Sequence, residues 1–360
     1  MRERNMSDIS DGYRLAEIIR FSGDYLQREG SGDERLAISA HSSLAYDGLL
    51  FSAEVTPQLY ESLQNVCESL KVPSGIVSAF VRSSPQIQAE CISTGTKKCV
   101  LRFSSALIEL LSVEEFEFVC GHELGHFLLG HGQIRLESMS DSAEYYLQQR
   151  AQEISVDRFG LLACTSVEAA IRAMIKVASG LSDQHLRFDT STFVSQLNHI
   201  LDDDYNKRQI DTHPSFLIRS RALLWFSMTG VREIGIEGLD QEKLEDIDRR
   251  IKSDLDRYVD GPTRALIQEV EENFALWCFA QNVVSQGAFT AQSQGVFEQR
   301  FGGEKLGSLK SFLAEMSKDD AERVVYERMR DARDELERVV PVSFNSYHEK
   351  ILSEIAAYFC

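Results

Sequence analysis

The sequence predicts a mostly helical α+β fold, in which a small antiparallel sheet is followed by an all-helical region. Three observations lead to this prediction. Apolar residues recur at helical spacing in several segments, as in residues 57–70. Runs typical of β-strands cluster between residues 76 and 103. Beyond Gly230, charge-rich segments surround one apolar stretch, which indicates a separate helical region.

Size and charge limit the class of protein. The chain has 360 residues, of which 43% are hydrophobic, so it is long enough to bury a substantial core. Its formal net charge of -18 argues against binding to nucleic acid or to anionic membranes, because both surfaces would repel it. Residues 273–297 are uncharged but rich in Gln, Ser and Asn, so we interpret them as a buried helix of a soluble protein and expect no membrane span.

The N-terminus and the cysteines favour a cytoplasmic location. The first thirty residues carry charges throughout and lack the contiguous apolar run of a secretion signal. The 7 cysteines are scattered and form no CxxC pair, which predicts neither a disulfide framework nor a thiolate zinc site. Cys91 and Cys99 flank a predicted turn, and we expect both to be reduced.

The N-terminal half contains helices on either side of the predicted sheet. Apolar spacing indicates a helix within residues 10–30, and Thr56 and Pro57 mark the start of a second helix. The predicted strands are 76–81, 86–92 and 98–103, with a turn at 93–96 between the last two.

A sequence that favours a capping box, Ser112 to Glu115, predicts the start of a helix that runs to about Gly130. The next helix is predicted to start at Asp141, with Glu144 completing its cap, and to run to Leu161 or Cys164. Further helices are predicted at 166–180 and 215–228. The predicted domains are an N-terminal helical segment (1–50), a central domain (51–230) and a C-terminal helical region (235–360).

The segment HELGH, residues 122–126, lies in the helix predicted to follow Ser112. His122 and His126 are four residues apart, so their imidazoles project from one face and can share a metal ion. Glu123 is offset from this face, where it can act as the general base of a zinc-activated water. The apolar flanks argue against an accidental histidine pair, because burying these side chains without a metal would be costly.

A zinc site of this kind needs a third protein ligand, and several candidates compete. In the pattern HExxHxxGxxH the third histidine would fall at Gly132, so His131 is one residue out of register. We interpret His131 as a helix-terminal histidine that faces the last carbonyls. The remaining candidates are a glutamate of the next helix or a later histidine: Glu137, Glu144, Glu153 and His213.

Glu153 is favoured because Asp157 lies one turn further along the same helix face. This aspartate can accept the free ring proton of a zinc-bound histidine. His213 precedes Pro214, which fixes the angle at which a helix starts. Three roles stay open for His213: transition-state donor, displaceable fourth ligand or plain surface residue.

Taken in order along residues 50–228, the chain resembles zinc metallopeptidases of the HtpX heat-shock protease and CAAX-prenyl endopeptidase group. CGHELGHFLLGH resembles their zinc helix, EISVDRFG their ExxxD helix and THPSFLIRSRAL their late His-Pro segment. The resemblance implies a gluzincin-like unit that binds one zinc ion. It implies that the zinc ligands are His122, His126 and Glu153. It also implies that Glu123 is the catalytic base, that Asp157 supports a ligand, and that His213 and Arg219 lie in the cleft.

The chain departs from that group in three respects. Membrane members carry transmembrane helices around the catalytic unit, whereas this chain contains none that we can identify, so it resembles a soluble relative. Gln88-Ala89-Glu90 stands where the group has an Asn-Ala-Phe-like strand entry. The region 235–360 matches no part of the group.

Three functional hypotheses follow. The leading one is a zinc-dependent endopeptidase for protein substrates, which pair with an edge strand while Arg219 or His213 stabilises the oxyanion. The second is a regulatory protease with one dedicated substrate, activated by a protein partner. The third is a non-catalytic helical scaffold with a latent zinc site, in which residues 235–360 bind a partner.

Overall fold

The structure is a computed structural model that describes residues 9–24, 34–94, 98–131, 142–164, 166–187, 189, 192, 195, 216–231, 236–287 and 289–359. As predicted, the fold is mostly helical, with one small sheet and a helical C-terminal region. The chain divides into two compact units, one formed by residues 1–135 and 148–259 and the other by 136–147 and 260–360. The predicted domain boundaries at 50 and at 230–235 stay predictions.

The sheet has four strands in the order β1-β2-β4-β3. They are Leu49–Leu50 (β1), Val77–Arg82 (β2), Ala89–Thr94 (β3) and Lys98–Ser104 (β4). β3 and β4 form the predicted antiparallel hairpin. The prediction of an entirely antiparallel sheet is wrong, because β4 pairs in parallel with β2.

The segment between β2 and β3 explains this arrangement. Two backbone hydrogen bonds fix this segment beside the end of β4. Ser104 N donates to Gln88 O over 2.9 Å, and Ala106 N donates to Ser84 O over 3.3 Å. β3 therefore starts on the far side of β4, which leaves the central position to β4. The predicted strand 86–92 accordingly starts later, at Ala89.

Both faces of the sheet are covered within the first unit. One face contributes Leu101 and Phe103 to a core that includes Phe116 of the following helix. The other face contributes Phe80 and Val100 to a small cluster with Leu44. The helices of this unit are Ser10–Ile19 (α1), Glu34–Asp47 (α2), Pro57–Ser69 (α3), Ser105–Leu110 (α4), Val113–Leu129 (α5), Val167–Ser179 (α7), Phe216–Ser227 (α8) and Gln241–Leu255 (α9), together with most of Ala143–Ala163 (α6).

The predicted capping box at the start of α5 is present. Glu115 N donates to Ser112 Oγ, and Ser112 N donates to the Glu115 carboxylate over 2.8 Å. Gly130 ends α5 with a φ of 73°, a left-handed conformation that glycine adopts at low cost. α1 ends at Ile19, well before the end of the predicted 10–30 segment, of which residues 25–30 lie outside the described residues.

The second unit is all-helical. Its helices are Gly261–Gln286 (α10), Ala291–Phe301 (α11), Gly303–Ala314 (α12), Lys318–Val339 (α13) and Phe344–Ala357 (α14). Aromatic side chains such as Phe279 and Phe297 form the centre of its core. The prediction of one continuous helix over 273–297 is wrong, because Gly287 ends α10 with a φ of 92° and Thr290 caps α11.

Glu144 belongs to this second unit, and its predicted role in a cap that starts at Asp141 stays a prediction. Its carboxylate accepts from Val342 N over 2.9 Å and from Ser343 N over 3.2 Å, so it satisfies free donors at the start of α14. Ser142 Oγ accepts from Tyr145 N at the start of α6. Asp141, the predicted first residue of that helix, lies outside the described residues.

Candidate metal site

α5 and α6 cross closely where glycines replace side chains. A Cβ added at Gly121 would lie 2.4 Å from Ala163 Cβ, and one at Gly125 would lie 3.1 Å from Phe159 Cβ. On α6, a Cβ at Gly160 would lie 2.6 Å from the Phe118 ring. Only hydrogen fits at such separations. The absent side chains let the two helices approach each other, and this brings the HELGH segment beside the carboxylates of α6.

The structure brings His122, His126 and Glu153 together. One potential ligand atom from each lies within 4.8 Å of the others, and no other such group occurs among the residues that the structure describes. His122 Nε2 lies 3.7 Å from one Glu153 carboxylate oxygen, and His126 Nε2 lies 3.8 Å from the other. Both separations are too long for hydrogen bonds.

These separations fit a shared metal ion. Bond lengths of about 2.0–2.2 Å around tetrahedral zinc place neighbouring ligand atoms about 3.4 Å apart. The observed 3.7 Å and 3.8 Å are close to this spacing. Two imidazoles and a carboxylate are also a donor set that zinc accepts. The residues present therefore fit a zinc ion.

The other ring nitrogen of His122 has its own partner. Asp157 Oδ1 lies 3.0 Å from His122 Nδ1, so a proton on Nδ1 leaves the Nε2 lone pair free to bind a metal. Arg219 holds the same aspartate, with its Nε donating to Asp157 Oδ2 over 2.8 Å. Arg219 Nη1 also lies 3.0 Å from Glu153 Oε2. The predicted cleft residue Arg219 therefore contacts both carboxylates of α6.

Glu123 stands apart from the three candidate ligands and is buried. Burial and the negative charge of Glu153 raise the pKa of its carboxyl group to about 7, although His122 opposes the shift. A carboxyl group in this range can both accept and donate a proton near neutral pH. This is the property that proton transfer during hydrolysis requires.

The histidines and Asp157 differ in their electrostatics. Burial and the neighbouring His122 and His131 lower the pKa of His126 well below its usual value. Burial opposes protonation of His122 too, but the hydrogen bond to Asp157 and the negative charges of Glu153 and Asp157 together raise its pKa. Burial would raise the pKa of Asp157, yet the charge and hydrogen bonds of Arg219, together with the hydrogen bond and charge of His122, lower that pKa. Asp157 therefore stays an acceptor, as His122 needs.

His131 is the residue that the sequence interpretation missed. Its ring does not face the last carbonyls of α5, because Nδ1 lies 2.9 Å from His126 Nδ1 and Nε2 lies 3.2 Å from Asp24 Oδ2. The interpretation as a plain helix-terminal histidine is wrong. The spacing of the HExxHxxGxxH pattern excluded His131 as a zinc ligand, but it did not exclude contact between His131 and the candidate ligand His126. The available signal was Gly130, whose left-handed conformation turns the chain back toward His126.

Two other candidates from the sequence have no described position. His213 and Glu137 both lie outside the described residues. The open question about His213 therefore stays a prediction. Glu144, the remaining glutamate candidate, bonds to Val342 and Ser343 and belongs to the second unit.

Comparison with known proteins agrees with a metallopeptidase-type site. Residues 53–148 match the family model of peptidase family M48, and this segment contains His122, Glu123 and His126. This segment is therefore similar to the domain of a metallopeptidase family. The match ends before Glu153 and Asp157, whose placement beside the histidines comes from the structure.

A curated relative gives a weaker indication of the same type. The chain is 24% identical over 168 residues to the Plastoglobule-localized metallopeptidase 48, chloroplastic, of Arabidopsis thaliana. The match covers 41% of this chain and 48% of the relative, so it spans about half the length of that protein. No solved structure matches the chain. Among the described helices, none is both long and apolar enough to cross a membrane; the cytoplasmic location stays a prediction.

Proposed function

We propose that the protein is a zinc-dependent endopeptidase that hydrolyses peptide bonds of protein substrates. One observation carries this proposal. The Nε2 atoms of His122 and His126 face the two oxygens of Glu153, while each Nδ1 atom has its own partner. A pair of partly buried histidines without a metal would use these nitrogens for hydrogen bonds. Here both Nε2 atoms lie beyond hydrogen-bond distance of the glutamate.

His122, His126 and Glu153 would hold the zinc ion. When bound, the ion acts as a Lewis acid toward the scissile carbonyl and activates a water molecule. Among the residues that the structure describes, three side chains would hold the ion, and a catalytic zinc site keeps its fourth position for water. A structural site would be closed by a fourth protein ligand, so a permanent bond from His213 would favour the scaffold over the enzyme.

Glu123 is the proposed general base. Its carboxylate accepts a proton from the attacking water and passes it to the leaving amine, so one group serves both proton transfers. The pKa of about 7 gives this carboxyl group little preference for either protonation state near neutral pH. His122, which adjoins Glu123 in sequence, faces Glu153. The proposed base and the proposed ligand therefore do not compete for the metal position.

Asp157 and Arg219 are proposed to fix the ligands. Asp157 holds His122 by its Nδ1 atom, and Arg219 holds Asp157 and Glu153 together. Because the Arg219 guanidinium already contacts both of these carboxylates, we propose that the main role of Arg219 is to position Glu153. His213 remains the proposed oxyanion donor or displaceable fourth ligand.

β3 is the proposed docking site for the substrate backbone. It is an edge strand, because it pairs only with β4 among the strands that the structure describes. Glu90 of β3 lies close enough to Glu123 for its charge to contribute to the raised pKa of that residue. An extended peptide that pairs with β3 would therefore run past the proposed general base.

The test compares wild type with Glu123→Gln. Zinc content is measured by mass spectrometry, and cleavage is measured on an unstructured protein and a peptide library. We expect about one zinc per chain in both proteins and cleavage only by wild type. Undiminished cleavage by Glu123→Gln would refute the general-base assignment. Absence of zinc from wild type, or a fourth protein ligand that stays bound to zinc when substrate is present, would refute the proposed enzyme.

A further inference from the structure

His131 is held at the end of α5 by the turn at Gly130. His131 N donates to His126 O over 2.9 Å, and the left-handed Gly130 turns the chain so that the ring of His131 meets that of His126. The ring centroids are 5.1 Å apart and the planes form an angle of 68°. At this edge, the two Nδ1 atoms are 2.9 Å apart, which is a hydrogen-bond distance.

The opposite edge of His131 meets the N-terminal segment of the chain. His131 Nε2 lies 3.2 Å from Asp24 Oδ2, and Asp24 Oδ1 accepts from Gln148 Nε2 over 2.8 Å. Asp24 is 0% exposed and His131 is 6% exposed, so water has little access to either side chain. His126, His131, Asp24 and Gln148 therefore form a hydrogen-bonded series, of which the last three members are buried.

The chemistry of these groups determines where the ring protons lie. A carboxylate only accepts, so the His131 nitrogen beside Asp24 carries a proton. In a neutral imidazole the other nitrogen, Nδ1, is then an acceptor. It accepts a hydrogen bond from the N–H at His126 Nδ1, and this leaves His126 Nε2 with a lone pair directed at Glu153. Asp157 has the same effect on the other histidine, His122.

We propose that His131 is a positioning residue that sets the tautomer and ring orientation of His126, and that Asp24 in turn orients His131. This inference rests on the proposed role of His126 as a zinc ligand. The N-terminal segment thereby becomes part of the machinery of the site. Phe21 N donates to Ser155 Oγ over 3.1 Å and Ser22 N donates to Asp248 Oδ2 over 2.8 Å, which hold the segment in place.

The charges in the site explain why an imidazole occupies this position. Glu123, Glu153 and Asp157 already bring three carboxyl groups to the histidine pair. A fourth carboxylate in contact with His126 would add repulsion in a buried site, where charges interact strongly. The ring of His131 offers an acceptor at Nδ1 instead of a carboxylate and places Asp24 one residue further from His126.

The test uses two variants of His131 in the full chain. His131→Phe keeps the ring shape but removes the acceptor. His131→Asn retains an acceptor, because Oδ1 can occupy the place of Nδ1. His185→Phe is the control, since it removes an exposed histidine from the same unit. The measurements are the zinc dissociation constant, from competition with a chromophoric chelator, and the visible spectrum of the Co²⁺ form.

We expect zinc binding by His131→Phe to weaken by about 10- to 100-fold, as found for groups that orient metal ligands. Its Co²⁺ spectrum should differ from that of wild type, whereas His131→Asn should recover most of the affinity and the spectrum. His185→Phe should match wild type. Urea unfolding of the metal-free proteins shows whether weaker zinc binding comes from the lost contact or from a destabilised fold.

Unchanged zinc affinity and spectrum in His131→Phe would overturn the inference and leave the proposed function intact. Equal losses in His131→Phe and His131→Asn, with both metal-free proteins as stable as wild type, would also overturn it. If His131→Phe does not fold, wild-type affinity and spectrum in His131→Asn support it, and a loss there overturns it. Failure of wild type to bind zinc would refute the proposed function itself.

Discussion

The close crossing of α5 and α6 predicts that a single methyl group at Gly121 disrupts the site. In Gly121→Ala, the new Cβ would lie 2.4 Å from Ala163 Cβ and 3.0 Å from Phe159 O. Carbon atoms in van der Waals contact are about 3.5–4.0 Å apart. The two helices must therefore separate by about 1 Å at this point. Neither neighbour can yield by rotating a flexible side chain, because one is a Cβ and the other is backbone.

The expected cost follows from overpacking. Inserting a methyl group into a well-packed core destabilises a protein by about 1–3 kcal/mol. The better helix propensity of alanine offsets about 0.8–1.0 kcal/mol of this. We therefore expect a net loss of roughly 0–2 kcal/mol in the metal-free protein. Zinc affinity should fall as well, because Gly121 adjoins His122 on α5 while Glu153 lies on α6.

The assay unfolds the full chain in urea and follows the signal of the first unit. Trp225 lies in the first unit and Trp277 in the second, so a Trp277→Phe background reports on the first unit by fluorescence. Gly307→Ala is the matched control, since a Cβ there meets nothing within 4 Å. This variant should be neutral for the first unit. A Gly121→Ala protein as stable as its background, with unchanged zinc affinity, would refute the role of the close crossing.

Three further predictions concern charges and thiols away from the ligands. Asp248→Ala leaves the buried Arg158 without its carboxylate partner, so the first unit should lose about 3–5 kcal/mol in urea unfolding, and a loss under 1 kcal/mol would contradict this. The hydrogen bond from Lys176 lowers the pKa of Asp183. The stabilisation that Asp183 contributes should therefore be complete above its unfolded pKa of about 3.9 and vanish as pH falls through the lower folded value. The difference in free energy of unfolding between wild type and Asp183→Asn, measured with urea from pH 7 to 3, should show this trend. A difference that does not change with pH would contradict it. Burial raises the pKa of the Cys278 thiol to about 12, so iodoacetamide at pH 8 should label it only after unfolding, and rapid labelling of the native protein would refute its burial.

Local sequence signals predicted much of the secondary structure. The capping box at Ser112 and the glycine after Leu129 set both ends of α5, and these signals act within one helical turn. The sheet order was beyond such reasoning, because the position of β4 between β2 and β3 depends on non-local pairing. The predicted helix over 273–297 failed for a related reason: Gly287 ends one helix where the apolar character continues into the next.

The candidate site shows the same division between local and non-local information. Helical spacing indicated that Asp157 shares a face with Glu153, since both lie on α6. No spacing connects His131 with Asp24, which are 107 positions apart in sequence. Residues that meet across the fold reveal themselves only when packing is known. The first 50 residues therefore appeared unrelated to the chemistry, although Asp24 reaches the neighbour of a candidate ligand.

The balance of charges connects the candidate ligands with the residues that hold them. Glu123, Glu153 and Asp157 present three carboxyl groups in a small buried volume, and Arg219 is the cation that contacts two of them. One guanidinium cannot neutralise three carboxylates, so burial and mutual repulsion raise the pKa of Glu123, the one that Arg219 does not contact. A divalent cation between His122, His126 and Glu153 would supply the missing positive charge. The unbalanced charge that makes the site costly without a metal is thus the feature that would make a metal bind there.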